Sequence, residues 1–257
     1  MKAKKSFGQH FLNREDIAAR IAGSLQLNEA THKILEVGPG RGMLTKYLLQ
    51  QDQELLVVEA DRDMVLHLKK HYPTLKENII SADFLKVNLK LFFEDSPFAL
   101  IGNFPYNISS QILFKMLEYR DQIPEMVGMF QKEVAERVVA PPGDKTYGVT
   151  SVLIQAFYEG HYLFSVEKSS FTPPPKVKSG VIRLVRRETP LINCSEKIFR
   201  RVVKVAFQQR RKMLRNTIKS LIPNDPILKE SIFEKRPEKL SIEEFAALAA
   251  MIEQKLS

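Results

Sequence analysis

The chain has 257 residues and lacks the features of a secreted, membrane-bound or thiol-rich protein. It contains a single cysteine, Cys194, which excludes an internal disulfide and a cluster of metal-bound thiolates. A reducing compartment suits such a chain, so we expect a cytoplasmic protein. We interpret Cys194 as an inert thiol packed among its neighbours.

Long apolar runs are also missing. Nowhere does the sequence reach the about 18 consecutive apolar residues that a membrane-spanning helix needs. The N-terminal segment MKAKKSFGQHFLN is basic, but the apolar core of a signal peptide does not follow it. The sequence therefore indicates neither secretion nor membrane insertion, and it shows no internal repeat.

Acidic residues are outnumbered by basic ones. The sequence has 39 Lys and Arg against 30 Asp and Glu, which gives a net charge of +9. A basic protein favours a polyanionic partner such as nucleic acid. Residues 190–257 hold 14 Lys and Arg against 8 Asp and Glu, so the excess is concentrated near the C-terminus.

The apolar pattern predicts an α/β architecture. Strand-like and helix-like segments alternate from about residue 15 to 125, which is typical of a parallel sheet covered by helices. The segments VTSVLIQAFYEG, HYLFSVEKSSF and GVIRLVRRE are expected to close that sheet. Beyond Pro190 the pattern is helical, as in EKIFRRVVKVAF and IEEFAALAAMIEQKL. We therefore predict an α/β domain over residues 1–189 and a helical domain over residues 190–257.

A glycine-rich turn follows the first strong strand in LEVGPGRGMLT, residues 35–45. Such a turn lies at the carboxyl ends of parallel strands, where ligands bind, and Gly38 and Gly40 let a ligand approach the backbone. The spacing GxGxG differs from the dinucleotide fingerprint GxGxxG. Taken alone, the segment is weak evidence for a ligand, and a tight turn without a ligand stays an alternative.

Two carboxylates follow the next two strands. Glu59 ends LLVVEAD, where it can accept hydrogen bonds from ribose hydroxyls, and Asp83 in SADF can accept from an adenine amino group. Each could instead be a solvated loop acid or a helix cap. Together with the glycine turn they predict an adenosine-containing cofactor, and S-adenosylmethionine suits the site because no phosphate cradle is present.

The segment IGNFPYNISS, residues 101–110, follows the fourth strand. Its proline restricts Phe104 to extended geometry, which makes the segment stiff. The Asn103 side-chain oxygen and the Phe104 carbonyl could accept both N–H bonds of an exocyclic amine on adenine, and Tyr106 offers a ring on which the base can stack. The alternative is a plain Asn-x-Pro turn.

The chain resembles the bacterial small-subunit ribosomal RNA adenine N6,N6-dimethyltransferases. The motifs that carry the resemblance extend over nearly the whole chain: SFGQHFL, LEVGPGRGMLT, VVEAD, SADF, GNFPYNISS, FTPPPKVKSGVIRL, QQRRKMLRN and RPEKLSIEEF. The resemblance implies a seven-stranded Rossmann-like sheet with a small helical domain. It also implies methyl transfer from S-adenosylmethionine to two adjacent adenosines near the 3′ end of 16S rRNA, in the small subunit or its assembly intermediate.

The resemblance implies roles for individual residues. Cofactor contacts fall on His10, Leu12, Gly38, Glu59, Asp83 and Asn103. The target-base pocket falls on Asn103, Tyr106 and Phe171. His10 stands where asparagine is more common in the family, which leaves its main-chain contact intact and its side-chain role open.

Basic residues suggest where RNA backbone binds. Residues 197–219 hold nine basic side chains and no acid, although such a run can also be only a solvated face. We assign phosphate contacts to Lys176, Lys178, Arg210, Arg211, Lys212 and Arg215. Phe171 stands beside a run of three prolines that could present its ring opposite Tyr106, or the run could be a linker that packs one phenylalanine.

Other functions remain as alternatives. A 23S rRNA adenine methyltransferase shares the catalytic motifs, a DNA amino-methyltransferase would need a separate sequence-reading domain, and a ribosome-assembly factor without catalysis could keep the fold. His67 and His71 have a spacing that can chelate metal, but no third ligand accompanies them, so we expect no metal. We expect a monomer.

Overall fold

The apolar segments at the start of the α/β pattern are strands in the computed structural model, which describes residues 8–26 and 31–256. The strands are β1 (Phe11–Leu12), β2 (Lys33–Val37), β3 (Glu54–Glu59), β4 (Ile79–Ser81), β5 (Ala99–Asn103), β6 (Glu125–Gln131), β7 (Tyr158–Val166), β8 (Phe171–Thr172) and β9 (Ser179–Arg186). The helices are α1 (Glu15–Ala22), α2 (Thr45–Leu48), α3 (Arg62–His71), α4 (Ser109–Glu118), α5 (Lys132–Val139), α6 (Val149–Gln155), α7 (Glu196–Phe207), α8 (Leu214–Ile218) and α9 (Ile242–Leu256).

Seven strands form one sheet in the order β4-β3-β2-β5-β6-β9-β7. The strands from β4 to β6 are parallel, and β9 runs antiparallel to β6. The chain leaves β2 towards β3 on one side and returns to β5 on the other. This arrangement makes the carboxyl ends of β2 and β5 a topological switch point, where open α/β sheets bind their ligands.

The middle of the sheet is buried on both faces. The sequences KILEV of β2 and ALIGN of β5 are almost continuous in apolar residues, as expected for strands covered by helices on both sides. Ile34, Leu35, Ala99 and Leu100 are fully buried. These rigid strands therefore hold the residues at their carboxyl ends in fixed positions.

The described residues pack as two compact units. One takes the chain up to Ala135 together with Gly160–Arg186, and the other takes Glu136–Glu159 together with the chain from Arg187. The α/β sheet followed by a helical C-terminal region confirms the predicted fold class. The division into independent domains at residue 189 stays a prediction.

The segment VTSVLIQ differs from its expected role in the sheet, because it forms helix α6. Its β-branched residues favour a strand, but the side chains of Val152, Leu153 and Ile154 are buried in the second unit. Tertiary packing overrides the local preference here. The sheet is completed instead by β9 and β7.

Helix α9 of the second unit begins at a residue whose side chain satisfies a free backbone N–H group. Ser241 Oγ accepts the N–H of Glu244 at 3.1 Å, and Glu244 Oε2 accepts the N–H of Ser241 at 2.9 Å. This reciprocal capping box starts α9. Helix α9 packs against α7, whose Phe199, Val202 and Val203 are fully buried. Across the residues that the structure describes, no helix has the length and hydropathy to span a membrane.

Candidate active site

A cavity of about 580 Å³ lies at the carboxyl ends of β2, β3, β4 and β5. Its size falls within the range of about 300–1,000 Å³ that is usual for small-molecule sites. The lining includes nine residues that the sequence indicated: His10, Leu12, Gly38, Gly40, Glu59, Asp83, Asn103, Phe104 and Tyr106. The fold therefore brings together residues that are up to 96 positions apart in the sequence.

The glycine turn after β2 requires its glycines. Gly38 and Gly40 have φ angles of +67° and +56°, a region that residues with a Cβ rarely adopt. A Cβ at Gly38 would meet no atom within 4 Å, so the backbone there faces open space that a ligand can fill. A ligand can thus approach the main chain of this turn closely.

Glu59 ends β3 and is buried, and its carboxylate is held by two backbone groups. The N–H of Gly40 donates to Oε2 at 3.0 Å, and the N–H of Asp61 donates to Oε1 at 2.9 Å. Burial raises the pKa of Glu59, and these two hydrogen bonds oppose the increase. A carboxylate has about four acceptor positions, so further positions remain for ribose hydroxyls.

Glu36 is a site residue that the sequence analysis missed. It lies within β2, lines the cavity, and accepts a hydrogen bond from the Thr45 hydroxyl at 2.7 Å. Burial raises the pKa of its carboxyl to about 8, and the nearby charge of Glu59 adds to the increase. The signal for it was a carboxylate inside an otherwise apolar strand, which has to be paired or neutral.

Asp83 organises a tight turn that follows β4 and lines the cavity. Its Oδ1 accepts the N–H of Leu85 at 3.0 Å, and its carbonyl accepts the N–H of Lys86 at 2.9 Å. The ammonium of Lys86 lies 3.8 Å from Oδ2, and both side chains are exposed at this point. The turn fixes the carboxylate beside the cavity, where it can accept from an amino group.

Asn103 ends β5, and its side-chain amide has a defined orientation. Nδ2 donates to the main-chain carbonyl of His10 at 3.0 Å. With the nitrogen used in this contact, Oδ1 is the atom positioned to accept a hydrogen bond from a substrate amine. Asn103 is thus suited to accept an N–H bond at the rim of the cavity.

The ring of Phe104 anchors the segment that follows. It is 1% exposed, lies 5.0 Å from the ring of Phe130, and its N–H donates to the carbonyl of Met129 at 3.1 Å. Gly102 and Gly128 make room for it, since a Cβ at Gly102 would lie 2.8 Å from the ring. The side chain of Phe104 is therefore structural, and its main-chain carbonyl is the group that can serve a substrate.

Tyr106 is held by a hydrogen bond that the sequence did not suggest. Its hydroxyl lies 2.5 Å from Ser179 Oγ, and its ring lies 5.4 Å from the ring of His10. Burial raises the pKa of Tyr106, which keeps the phenol neutral at neutral pH. A neutral, anchored ring suits stacking better than proton abstraction.

The N-terminal strand β1 lines the cavity and pairs with β8. Leu12 stands opposite Phe171, and His10 Nδ1 lies 2.8 Å from the carbonyl of Pro173. The carbonyl of His10 accepts from Asn103, and the contact of His10 with the cofactor stays a prediction. Phe171 is 3% exposed and packs in the hydrophobic core rather than along the cavity. Its role as a wall for the base stays a prediction.

The residues assigned to RNA differ in their surroundings. Lys176 is exposed, whereas Lys178 is paired with Glu167 at 2.6 Å. In the second unit, Arg211 and Lys212 are exposed and Arg210 donates to the carbonyl of Asp144 at 3.0 Å.

Arg215 lies 3.6 Å from the carboxylate of Glu234. The phosphate contacts of all six residues stay a prediction. His67 and His71 stack at 4.0 Å, and within residues 8–26 and 31–256 no three His, Cys, Asp or Glu side chains are grouped to hold a metal ion.

Comparisons with known proteins show which family the chain belongs to. A family model described as ribosomal RNA adenine dimethylase matches residues 1–254. Ribosomal RNA small subunit methyltransferase A of Flavobacterium johnsoniae is 56% identical over 253 residues, covering 98% of this chain and 97% of that protein. The protein of the same name from Bacteroides thetaiotaomicron is 52% identical, covering 100% of this chain and 96% of its own length.

Two solved structures share the fold and part of the sequence. A dimethyladenosine transferase from Plasmodium falciparum superposes with a TM-score of 0.80 at 26% identity, covering 96% of this chain and 98% of that one. The 23S rRNA methyltransferase ErmE superposes with a TM-score of 0.70 at 26% identity, covering 92% of this chain and 99% of that one.

Proposed function

Because the chain belongs to the ribosomal RNA adenine dimethylase family, we propose that it methylates the exocyclic N6 of two adjacent adenosines near the 3′ end of 16S rRNA. The protein is an S-adenosylmethionine-dependent methyltransferase of ribosomal RNA. The observation that carries the proposal is Asn103, whose amide is oriented by the carbonyl of His10 at the carboxyl end of β5. The name shared by the bacterial relatives supports the small subunit as the source of the substrate.

The cavity fits the methyl donor. Glu59 can accept from the ribose hydroxyls, Asp83 can accept from the adenine amino group, and the turn at Gly38 lets the ligand lie against the backbone. When bound, S-adenosylmethionine supplies a methyl group on a positively charged sulfur.

The chain prepares the nucleophile through hydrogen bonds. The lone pair of the adenine amine is delocalised into the ring, which makes the nitrogen a poor nucleophile. Asn103 Oδ1 and the Phe104 carbonyl accept its two N–H bonds and draw the nitrogen towards tetrahedral geometry. The same two acceptors stabilise the positive charge that the nitrogen gains as it is methylated, and its proton then passes to solvent. Tyr106 stacks on the base and holds it in place.

The substrate is the 16S rRNA of the small ribosomal subunit or of its assembly intermediate. We place the enzyme in the cytoplasm, because small subunits assemble there in bacteria, and we propose that it acts as a monomer. Basic residues in the second unit, from Arg210 to Arg215, contact phosphates of the rRNA.

Labelled methyl transfer tests the proposal. The protein is incubated with S-adenosylmethionine labelled in its methyl group and with unmethylated 30S or 50S particles, and the labelled nucleotide is mapped. We expect label on two adjacent adenosines of 16S rRNA, with Asn103→Ala as the inactive control. Label on 23S rRNA would assign the protein to the function of ErmE instead, and absence of label on both would indicate an assembly factor.

A further inference from the structure

Helix α4 carries a buried lysine that reaches the turn at the adenine end of the cavity. Lys115 is 8% exposed, although lysine is seldom buried without a partner. Its ammonium donates to the carbonyl of Leu85 at 3.1 Å and to the carbonyl of Val87 at 2.6 Å. The same group lies 5.4 Å from the ring of Phe84 and 5.4 Å from the ring of Tyr119.

These contacts join two parts of the site. Asp83, Phe84 and Leu85 line the cavity, and they form the turn that holds the carboxylate of Asp83. Helix α4 starts at Ser109, directly after the segment that carries Asn103 and Tyr106. Lys115 therefore connects the turn at the adenine end of the cavity to helix α4, which follows the catalytic segment, residues 103–106.

The contacts cannot be explained by packing alone. An apolar side chain would fill the space beside Phe84 without the cost of burying a charge. Lys115 does carry that cost, because burial lowers the pKa of its ammonium. The ammonium offsets that cost by satisfying two carbonyls whose positions define the backbone from Leu85 to Val87. Removal of the ammonium leaves both carbonyls without this donor and lets the turn shift.

We propose that Lys115 is a positioning residue that fixes the turn at residues 83–87, and thereby sets the selectivity of the site for adenine in the cofactor. The inference rests on the proposed function, because it assumes that the cavity binds S-adenosylmethionine with its adenine at Asp83. Lys115 acts through the turn and does not touch the ligand. If the turn shifts and the carboxylate of Asp83 moves with it, recognition of the adenine amino group should weaken more than binding of the rest of the cofactor.

The test compares two ligands by titration calorimetry. S-Adenosylhomocysteine carries the adenine amino group, and S-inosylhomocysteine carries an oxygen in its place. A site that accepts from an amino group rejects the analogue that lacks it, so we expect the wild type to prefer the adenine ligand by about tenfold or more. In Lys115→Met the Kd for the adenine ligand should rise about tenfold, and the preference should fall to about threefold or less.

The ratio of the two affinities separates positioning from loss of folded protein, because a smaller folded fraction lowers the amount of both complexes and leaves the ratio unchanged. Lys90→Met is the matched control, since Lys90 is an exposed lysine just beyond the same turn, and it should keep the wild-type ratio within about twofold. Lys115→Gln, a shorter neutral donor, carries the test if the methionine variant does not fold.

A wild-type ratio in the folded Lys115 variant would overturn the inference, and so would a wild type that does not discriminate between the ligands. Neither result depends on RNA. A protein whose preference for S-adenosylhomocysteine depends on Lys115 as described, but that methylates no ribosomal particle, would contradict the proposed function and leave the inference standing.

Discussion

Asn103 shows how one side chain is divided between structure and chemistry. Its nitrogen donates to the His10 carbonyl at 3.0 Å, and its oxygen is the acceptor that we propose for the substrate amine. Asn103→Ala removes an acceptor that acts most strongly in the transition state, so we expect turnover to fall at least about 100-fold, or about 3 kcal/mol. Single-turnover methyl transfer measures this loss.

The affinity of Asn103→Ala for S-adenosylhomocysteine should fall by less than the turnover, because Glu59 and Asp83 are unchanged. Gln111→Ala on the exposed side of α4 is the control and should be active. An Asn103→Ala variant that methylates at a near-normal rate would remove Asn103 from the mechanism.

Glu36 makes the stability of the protein depend on pH. Its carboxyl has a pKa of about 8 in the folded protein, against 4.5 as the ordinary value. Between these two pH values the folded state keeps a proton that the unfolded state releases. The stabilising contribution of the Glu36 carboxyl is therefore complete below pH 4.5 and is lost as the pH rises to about 8. The loss amounts to at most about 5 kcal/mol, since one pKa unit corresponds to about 1.4 kcal/mol.

The variant Glu36→Gln keeps an acceptor for Thr45 but cannot ionise. We compare the free energy of unfolding of the variant with that of the wild type. The difference in favour of the variant should be several kcal/mol larger at pH 8.5 than at pH 5. Urea unfolding at both pH values measures the difference, with the exposed Glu77→Gln as a control. Parallel pH profiles for Glu36→Gln and the wild type would show that the Glu36 carboxyl is ionised when folded.

Residues at strand ends could be located from the sequence, because a parallel sheet brings the ends of its strands to one edge. Glu59, Asp83 and Asn103 all lie there. Lys115 and Ser179 were missed, since their partners are distant in the sequence and no spacing marks such contacts. Glu36 was missed although a carboxylate inside an apolar strand is a visible signal. The positions of these side chains depend on tertiary packing, which forms only when the chain folds.

Strands β5 and β6 place two glycines side by side under the catalytic segment. Gly102 pairs with Gly128, and the ring of Phe104 lies against both. A Cβ at Gly128 would lie 2.6 Å from the ring of Phe130 and 2.9 Å from Cδ2 of Phe104. The anchoring of the catalytic segment thus depends on glycine at both positions, because any side chain there would meet the ring of Phe104.

Gly128→Ala should displace the Phe104 ring and with it the main-chain carbonyl that we propose as an acceptor for the substrate amine. We expect a loss of about 1–3 kcal/mol in the free energy of unfolding, as is usual for overpacking, and a fall in turnover beyond the loss of folded protein. Gly148→Ala is the control, because a Cβ there has its nearest contact at 3.9 Å and φ is −165°. Normal stability and turnover in Gly128→Ala would contradict this role of the glycine pair.

Elements with a long, clear period were predictable, and elements set by tertiary contacts were not. Helices α7 and α9 have the expected residues because their apolar stripes continue without interruption over Glu196–Phe207 and Ile242–Leu256. Helix α6 was expected as part of the sheet, since VTSVLIQ is rich in β-branched residues. The pairing of β1 with β8 joins segments about 160 residues apart and leaves no periodic signal.

At the scale of the whole molecule, positive charge is unevenly distributed along the chain. Residues 197–219 carry nine Lys and Arg and no acid, which is the pattern of a surface that meets phosphates. Arg211 and Lys212 are exposed, and Arg210 contacts the carbonyl of Asp144 through one of its five N–H donors. These three adjacent cations can therefore reach the RNA backbone without reading base edges.

Neutralisation of Arg210, Arg211 and Lys212 to glutamine should leave the affinity for S-adenosylhomocysteine unchanged. Each lost phosphate contact should flatten the dependence of log K on log salt by about 0.7 to 0.9, so we expect a change of about two to three units and weaker binding to specific and nonspecific RNA alike. The control replaces three exposed lysines elsewhere, Lys69, Lys70 and Lys90, which lowers the net charge equally. If both variants changed the slope to the same extent, net charge alone would explain RNA binding. An unchanged slope in the first variant would mean that these side chains form a solvated face and that phosphates are held elsewhere, most plainly at Lys176 and Lys178.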